Sequence, residues 1–94
     1  MHMARFLIEV PHEGTPTACA RAVHVFLSTG SHFLSRAEWG CKDGVHKAWM
    51  VVQVDSKGEA RSIVPPAFRA QAKIVQLNTF TMEDIEPILR LHEP

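Results

Sequence analysis

The sequence has little of three features that would each indicate a class of protein. It contains only two cysteines, Cys19 and Cys41, whereas a secreted domain of this size stapled by disulfides usually carries more. Its ten Lys and Arg are balanced by ten Asp and Glu, so it lacks the basic excess with which nucleic-acid-binding proteins neutralise phosphates. No apolar run approaches the roughly 20 residues needed to span a bilayer. These absences predict a reduced, cytoplasmic protein that binds neither nucleic acid nor membrane.

What is present fits one globular domain. The 94 residues fall below the length at which a second domain becomes expected, and a composition of 46% hydrophobic and 21% charged residues is typical of a folded chain. The start of the chain lacks the apolar core of a signal peptide. A second methionine at position 3 indicates that Met1-His2 is an added extension. A net charge of zero leaves self-association unopposed by repulsion.

Hydrophobic alternation and turn residues predict four strands. We expect them at residues 5–10, 32–40, 45–54 and 73–78, where β-branched and aromatic residues are frequent. Asp43-Gly44 is a strong signal for a two-residue hairpin turn between the second and third strands.

Capping residues and apolar spacing predict the helices between and after these strands. Thr15-Pro16 begins a helix that runs to about residue 29, and Ser56 begins a short one that Pro65-Pro66 ends. A last helix starts near Thr81, and Pro87 either kinks it or moves its start to about Glu86. The order β-α-β-β-α-β plus a C-terminal helix is the ferredoxin-like α+β pattern, an antiparallel sheet with both helices on one face.

The expected hairpin turn fixes which side chains share a face. It places Cys41 opposite His46 and Trp39 opposite Ala48, and successive residues then alternate between the two faces of the sheet. One face is mostly apolar and must lie under the helices. The other, which we call the open face, is expected to carry Leu7, Glu9, His32, Leu34, Arg36, Glu38, Trp49, Val51 and Gln53. Such a mixture of apolar and polar groups is typical of a ligand cavity or of an interface between two copies.

Four stretches carry a resemblance to a known family. They are Val54-Asp55-Ser56-x-x-Glu59-Ala60, Phe80-Thr81 before an acidic terminal helix, and residues 30–41 together with Pro65-Pro66-Ala67-Phe68-Arg69. With this element order, the chain resembles the dimeric α/β-barrel superfamily, and it looks closest to the small uncharacterised bacterial members. The resemblance implies a homodimer formed through the open face, and an activity of the isomerase or monooxygenase type.

The polar groups of the open face are the leading candidates for chemistry, without a cofactor. Glu38 or His32 is placed to act as an acid or base, and Arg36 to hold an anionic substrate. The expected substrate contacts are Glu9, Trp49 and Gln53, with Arg69 reaching in from a loop. The alternative is that these are paired charges in a dimer interface and that Arg69 belongs to a rigid connector.

Two further interpretations stay open. Cys41 and His46 form a possible metal-binding or redox-sensing pair, which needs His12 or groups from a second subunit to reach the three or four ligands that zinc requires. Cys19 is expected in the core because it lies on the buried stripe of the first helix, and His24 and His92 are expected on the surface. The third possibility is a structural or regulatory subunit with no chemistry of its own.

Overall fold

A computed structural model describes residues 3–91, so Met1-His2 and the predicted surface residue His92 lie outside the described part. The protein is an α+β domain built on a four-stranded antiparallel sheet in the order β2-β3-β1-β4. This arrangement is compatible with the predicted ferredoxin-like class. The strands are β1 (Ala4–Pro11), β2 (Glu38–Trp39), β3 (Lys47–Val54) and β4 (Lys73–Leu77). The helices are α1 (Pro16–Ser28), α2 (His32–Ser35), α3 (Lys57–Ile63), α4 (Pro66–Arg69) and α5 (Met82–Leu91), with a 3₁₀ turn at Cys41–Asp43.

Alternating side chains of the two central strands form one side of the core, as their sequence pattern predicts. The β1–β3 ladder pairs Ala4 with Val54 at one end and Pro11 with Lys47 at the other. The residues that face the helices are almost inaccessible, and Leu34, Val64 and Ile74 join them from neighbouring elements. The strand contribution to this core is Phe6, Ile8, Val10, Ala48, Met50 and Val52.

Helix α1 covers this side of the sheet and begins at Thr15-Pro16, as the sequence predicts. The hydroxyl of Thr15 accepts a hydrogen bond from the Ala18 amide, and Pro16 occupies the first helical position, where its missing N–H costs nothing. Phe26 is buried and packs edge-on against Trp39, with ring centroids 4.9 Å apart. Gly30 follows the helix at a φ of 76°, a conformation that favours glycine.

The predicted strand at residues 32–40 is wrong over most of its length. His32–Ser35 form one helical turn, in which the Ser35 amide donates to the Ser31 carbonyl, and only Glu38 and Trp39 pair with β3. The turn brings Leu34 into the core at 2% exposure, although alternation had predicted it on the open face. Burial of Leu34 decides the local structure here, because a single turn has little stability of its own.

The two-residue turn at Asp43-Gly44 is also wrong, but the register that it predicted is correct for the two residue pairs that form between β2 and β3. A wider loop joins the strands: the Val45 amide donates to the Gly40 carbonyl, and Gly44 adopts a φ of 78° after the 3₁₀ turn. Trp39 still pairs with Ala48. The loop therefore lengthens without shifting the strands.

Helices α3 and α5 begin with side-chain caps, of which the one at Ser56 was predicted. The hydroxyl of Ser56 accepts from the Glu59 amide at the start of α3. At the start of α5, Thr81 and Asp84 cap each other through 2.9 and 3.2 Å hydrogen bonds, so this helix begins before Glu86 and continues through Pro87. Among residues 3–91, no helix combines the length and apolar character needed to cross a membrane.

Candidate metal centre

The end of the β1–β3 ladder brings two histidines together. Beyond the last pair of the ladder, Pro11 with Lys47, the His12 amide donates to the His46 carbonyl over 3.1 Å. The same register thus continues by one residue on each strand. The two imidazole rings meet edge to face with centroids 5.8 Å apart.

Cys41 lies against the first of these rings. His12 Nε2 is 3.1 Å from Cys41 Sγ, while His12 Nδ1 is 2.8 Å from the Glu13 carbonyl oxygen. Because a carbonyl only accepts, Nδ1 carries the proton of the neutral ring, and the lone pair of Nε2 is directed at the sulfur. A histidine whose second nitrogen is held by a backbone carbonyl is the usual arrangement for a metal ligand.

His46 completes a group of three ligand atoms. One nitrogen from each histidine and Cys41 Sγ all lie within 4.8 Å of one another, and all three residues are half-buried. The backbone of Gly14 packs so closely on the His46 ring that a Cβ there would lie 3.0 Å from Cδ2. His46 Nδ1 is buried and has no hydrogen-bond partner among the described residues. An unpaired buried nitrogen is unfavourable, and a metal ion is one partner that would satisfy it.

A second thiol approaches the same group from α1. Cys19, which the helix pattern assigned to the core, is half-buried, and its Sγ is 2.7 Å from Cys41 Sγ. Open grooves of about 380 and 520 Å³ flank the sulfur pair, and both cysteines line both grooves. Solutes can therefore reach the sulfurs from two sides.

The surroundings of Cys41 favour metal binding over nucleophilic chemistry. Burial raises the pKa of the Cys41 thiol, and its contact with Cys19 raises it further. A nucleophilic cysteine needs the opposite, a pKa lowered toward neutrality. Ligation by a metal displaces the thiol proton directly, so a raised pKa weakens metal binding without preventing it.

On the open face, the predicted residues Glu9 and Trp49 are paired across β1 and β3. The indole Nε1 donates to a Glu9 carboxylate oxygen over 3.1 Å, and Lys47 lies 3.6 Å from the other oxygen. The Trp49 hydrogen bond lowers the pKa of Glu9, with smaller contributions from Lys47 and Lys73. A carboxylate held in this way is a weak base and serves to orient the indole.

The other predicted residues of this face are distributed over two neighbouring depressions. Arg36 and Glu38 line a cavity of about 350 Å³ together with Leu7 and Trp49. His32 and Gln53 lie in an adjoining groove of about 500 Å³, which Arg36 also borders. The structure thus groups Arg36, Glu38 and Trp49, whereas His32 stands apart with its ring on Phe33.

Arg69 is engaged elsewhere. Its guanidinium donates to the carbonyl of Val64 over 2.9 and 3.1 Å and to that of Ser62 over 3.2 Å. These carbonyls end α3, so the side chain ties the Pro65-Pro66 connector to that helix. The contacts favour the rigid-connector interpretation of this loop over an anion contact.

Sequence reasoning placed Cys41 beside His46 and treated His12 as a possible third ligand, but it missed Cys19. Nothing in the sequence placed His12 beside His46, because the two meet through the β1–β3 register, which no hairpin fixes. Comparison of the chain with protein-family models, with curated proteins and with solved structures finds no match. A functional assignment therefore depends on the geometry of these side chains.

Proposed function

We propose that the protein binds a zinc-class metal ion through His12, Cys41 and His46. The observation that carries this proposal is the convergence of three ligand atoms within 4.8 Å, contributed by two strand ends and a loop. Imidazole and thiolate together are the ligand set that zinc prefers. Three ligands are also the minimum that a protein zinc site uses, whether the fourth position is closed or open.

The distances support this ligand set. In a tetrahedral site with Zn–N of about 2.0 Å and Zn–S of about 2.3 Å, the nitrogen and sulfur stand roughly 3.5 Å apart. His12 Nε2 and Cys41 Sγ are already 3.1 Å apart. Little movement is needed to admit an ion between them.

Cys19 is the natural fourth ligand. Two thiolates on one zinc ion stand roughly 3.8 Å apart, so the observed 2.7 Å between the sulfurs must widen by about 1 Å. We expect rotation of the Cys19 side chain to provide this movement. The result is a closed Cys₂His₂ site of the kind that stabilises small domains.

Cobalt substitution and zinc titration of the reduced, untagged protein test the proposal. We expect one equivalent of Co²⁺ to give the visible bands of a tetrahedral ion and a thiolate-to-metal absorption. His12→Ala and His46→Ala should each weaken zinc binding, measured by competition with a chromophoric chelator, by about 10–100-fold or more. The matched control is His24→Ala, because His24 is exposed on α1.

Two results would contradict the metal site. One is the absence of stoichiometric metal from reduced protein, and the other is binding that survives His12→Ala and Cys41→Ser unchanged. Circular dichroism of each variant shows whether it is folded, so that a loss of binding is assigned to the ligand and not to unfolding.

A second candidate function concerns the open face, and the cavity of Arg36, Glu38 and Trp49 favours it. We propose that two copies of the chain pack these faces together, in the manner of the dimeric α/β barrels, and enclose a small polar cavity for a ligand. The exposure of Val51 at 53% and Val75 at 38% supports this pairing, because both valines would be covered by a second copy.

Light scattering tests the second candidate. The native chain should have twice the mass of one chain, and Val51→Arg should be monomeric because it buries an unpaired charge. A native protein with the mass of one chain at all concentrations would contradict it. The double variant Arg36→Leu and Glu38→Met distinguishes dimer formation from ligand binding in the cavity. A tighter dimer with unchanged ligand binding indicates interface packing alone.

A further inference from the structure

The two thiols at the candidate metal centre are close enough to react with each other. Cys19 and Cys41 are 22 residues apart in the chain, yet their sulfurs are separated by 2.7 Å, against about 2.05 Å in a disulfide. A movement of well under 1 Å forms the bond. No other cysteine occurs in the sequence, so the pairing is unique within one chain.

We infer that a reversible Cys19–Cys41 disulfide switches the metal centre off, an inference that rests on the proposed metal binding. The oxidised cysteines cannot act as thiolate ligands, because each sulfur has lost its proton and one electron to the oxidant and shares its remaining unpaired electron in the S–S bond. Only His12 and His46 then remain, fewer than the three ligands of a protein zinc site.

The oxidation is balanced with a peroxide as the two-electron oxidant. The Cys19 sulfur attacks one peroxide oxygen as its thiolate, the O–O bond breaks, and the attacked oxygen stays on the sulfur as a sulfenic acid. The other oxygen leaves as hydroxide and takes up the proton that the thiol had lost, which gives the first water. The second thiol displaces the hydroxyl of the sulfenic acid as another water, and the S–S bond forms. Both thiols are oxidised, hydrogen peroxide is reduced to two waters, and any bound metal is released as the free ion.

Two features of the sulfur pair are consistent with a redox switch: solutes can reach it, and metal binding and oxidation compete for it. The two grooves beside the sulfur pair admit an oxidant or a small thiol reductant. Metal binding and oxidation compete for the same sulfurs, since the ion holds them apart and the disulfide draws them together. Zinc should therefore slow the oxidation, and oxidation should abolish zinc binding.

The test treats zinc-loaded and zinc-free protein with diamide, which takes both thiol hydrogens onto its N=N bond and transfers no oxygen. We expect a mass loss of about two hydrogens, no free thiols, and zinc release followed with a chromophoric chelator. Zinc affinity of the oxidised protein should fall at least about 100-fold and return after reduction. Low protein concentration suppresses disulfides between chains.

Cys19→Ser is the variant that isolates the switch. It keeps His12, Cys41 and His46 but loses the fourth ligand, so we expect it to bind zinc about 10–100-fold more weakly than the native protein. At a zinc concentration that saturates it, the variant should hold its zinc in the presence of diamide, because it has no second thiol with which to form a disulfide. Zinc that stays bound to the native protein under diamide, or a Cys19→Ser protein that releases zinc equally, overturns the switch while leaving the metal site standing. Failure of the reduced native protein to bind zinc overturns the proposed function itself, and the thiol count still records whether the disulfide forms.

Discussion

The substitution Gly40→Ala should destabilise the protein more than a single methyl group suggests. A Cβ at Gly40 would lie 2.7 Å from the Val45 carbonyl oxygen and 2.8 Å from a ring carbon of Trp49. The backbone cannot easily yield, because Gly40 donates to the Lys47 carbonyl and accepts from the amides of Asp43 and Val45. The methyl group must therefore displace either the loop or the indole.

The size of the effect follows from these contacts. Adding one methyl to a closely packed site costs about 1–3 kcal/mol. Losing one loop hydrogen bond adds about 1 kcal/mol, so we expect a loss of unfolding free energy of about 2–4 kcal/mol in total. In a domain of this length each kcal/mol lowers the Tm by about 4–8 °C, and 2 kcal/mol corresponds to about 8–16 °C.

Thermal unfolding followed by far-ultraviolet circular dichroism, in metal-free buffer with a reductant, measures this loss. Gly58→Ala is the matched control, because a Cβ there meets nothing closer than Ser56 Oγ at 3.8 Å and lies in α3. That control should gain about 0.4–1 kcal/mol. If Gly40→Ala unfolds within about 2 °C of the native protein, the close approach of the loop to Trp49 is wrong.

Three further substitutions test other parts of the structure. Trp49→Phe removes the hydrogen bond that lowers the pKa of Glu9. In the native protein the Glu9 carboxylate stabilises the fold at pH values above its unfolded pKa of about 4.3, and this stabilisation is lost as the pH falls through the lower folded pKa. The variant lacks most of this stabilisation, so its unfolding free energy should fall less on acidification. If urea unfolding across pH 3–6 gives the native protein and the variant the same dependence of unfolding free energy on pH, the Glu9–Trp49 pairing is contradicted. Arg69→Ala should cost about 1–3 kcal/mol in urea unfolding because it leaves the carbonyls at the end of α3 unpaired; an unchanged midpoint would show that water replaces it. Gly14→Ala should push the His46 ring and weaken zinc binding about 10-fold without unfolding the chain, and unaltered affinity in a chelator competition would refute that packing.

Much of the sheet could be predicted from the sequence because period-two patterns are local. Phe6, Ile8 and Val10 alternate with Arg5, Leu7 and Glu9 and are buried as expected. The region before β2 could not be predicted, because the hairpin signal at Asp43-Gly44 extends the expected strand back over residues 32–36. What makes it a helical turn is the burial of Leu34, a tertiary contact that the local pattern does not contain.

The ligands of the candidate metal centre likewise differ in how far the sequence predicts them. Cys41 and His46 belong to one hairpin, so a short loop fixed their neighbourhood even though the turn itself was mispredicted. His12 meets His46 through the pairing of β1 with β3, which are joined by no hairpin and whose register no loop length fixes. Cys19 depends on how α1 is rotated over the sheet. A one-residue change in either relation would remove its ligand from the cluster.

Because the candidate ligands come from different parts of the fold, metal binding would stabilise several elements together. The four side chains come from a strand end, a helix, a loop and the start of the next strand. A zinc ion held by all of them would cross-link α1, the β2–β3 loop and the end of the β1–β3 ladder at once. The disulfide would join only α1 to the loop and leave His12 and His46 held by one backbone hydrogen bond. Amide exchange at His12 should therefore slow on zinc binding and stay fast on oxidation, because stability at a strand end depends on what fixes that end.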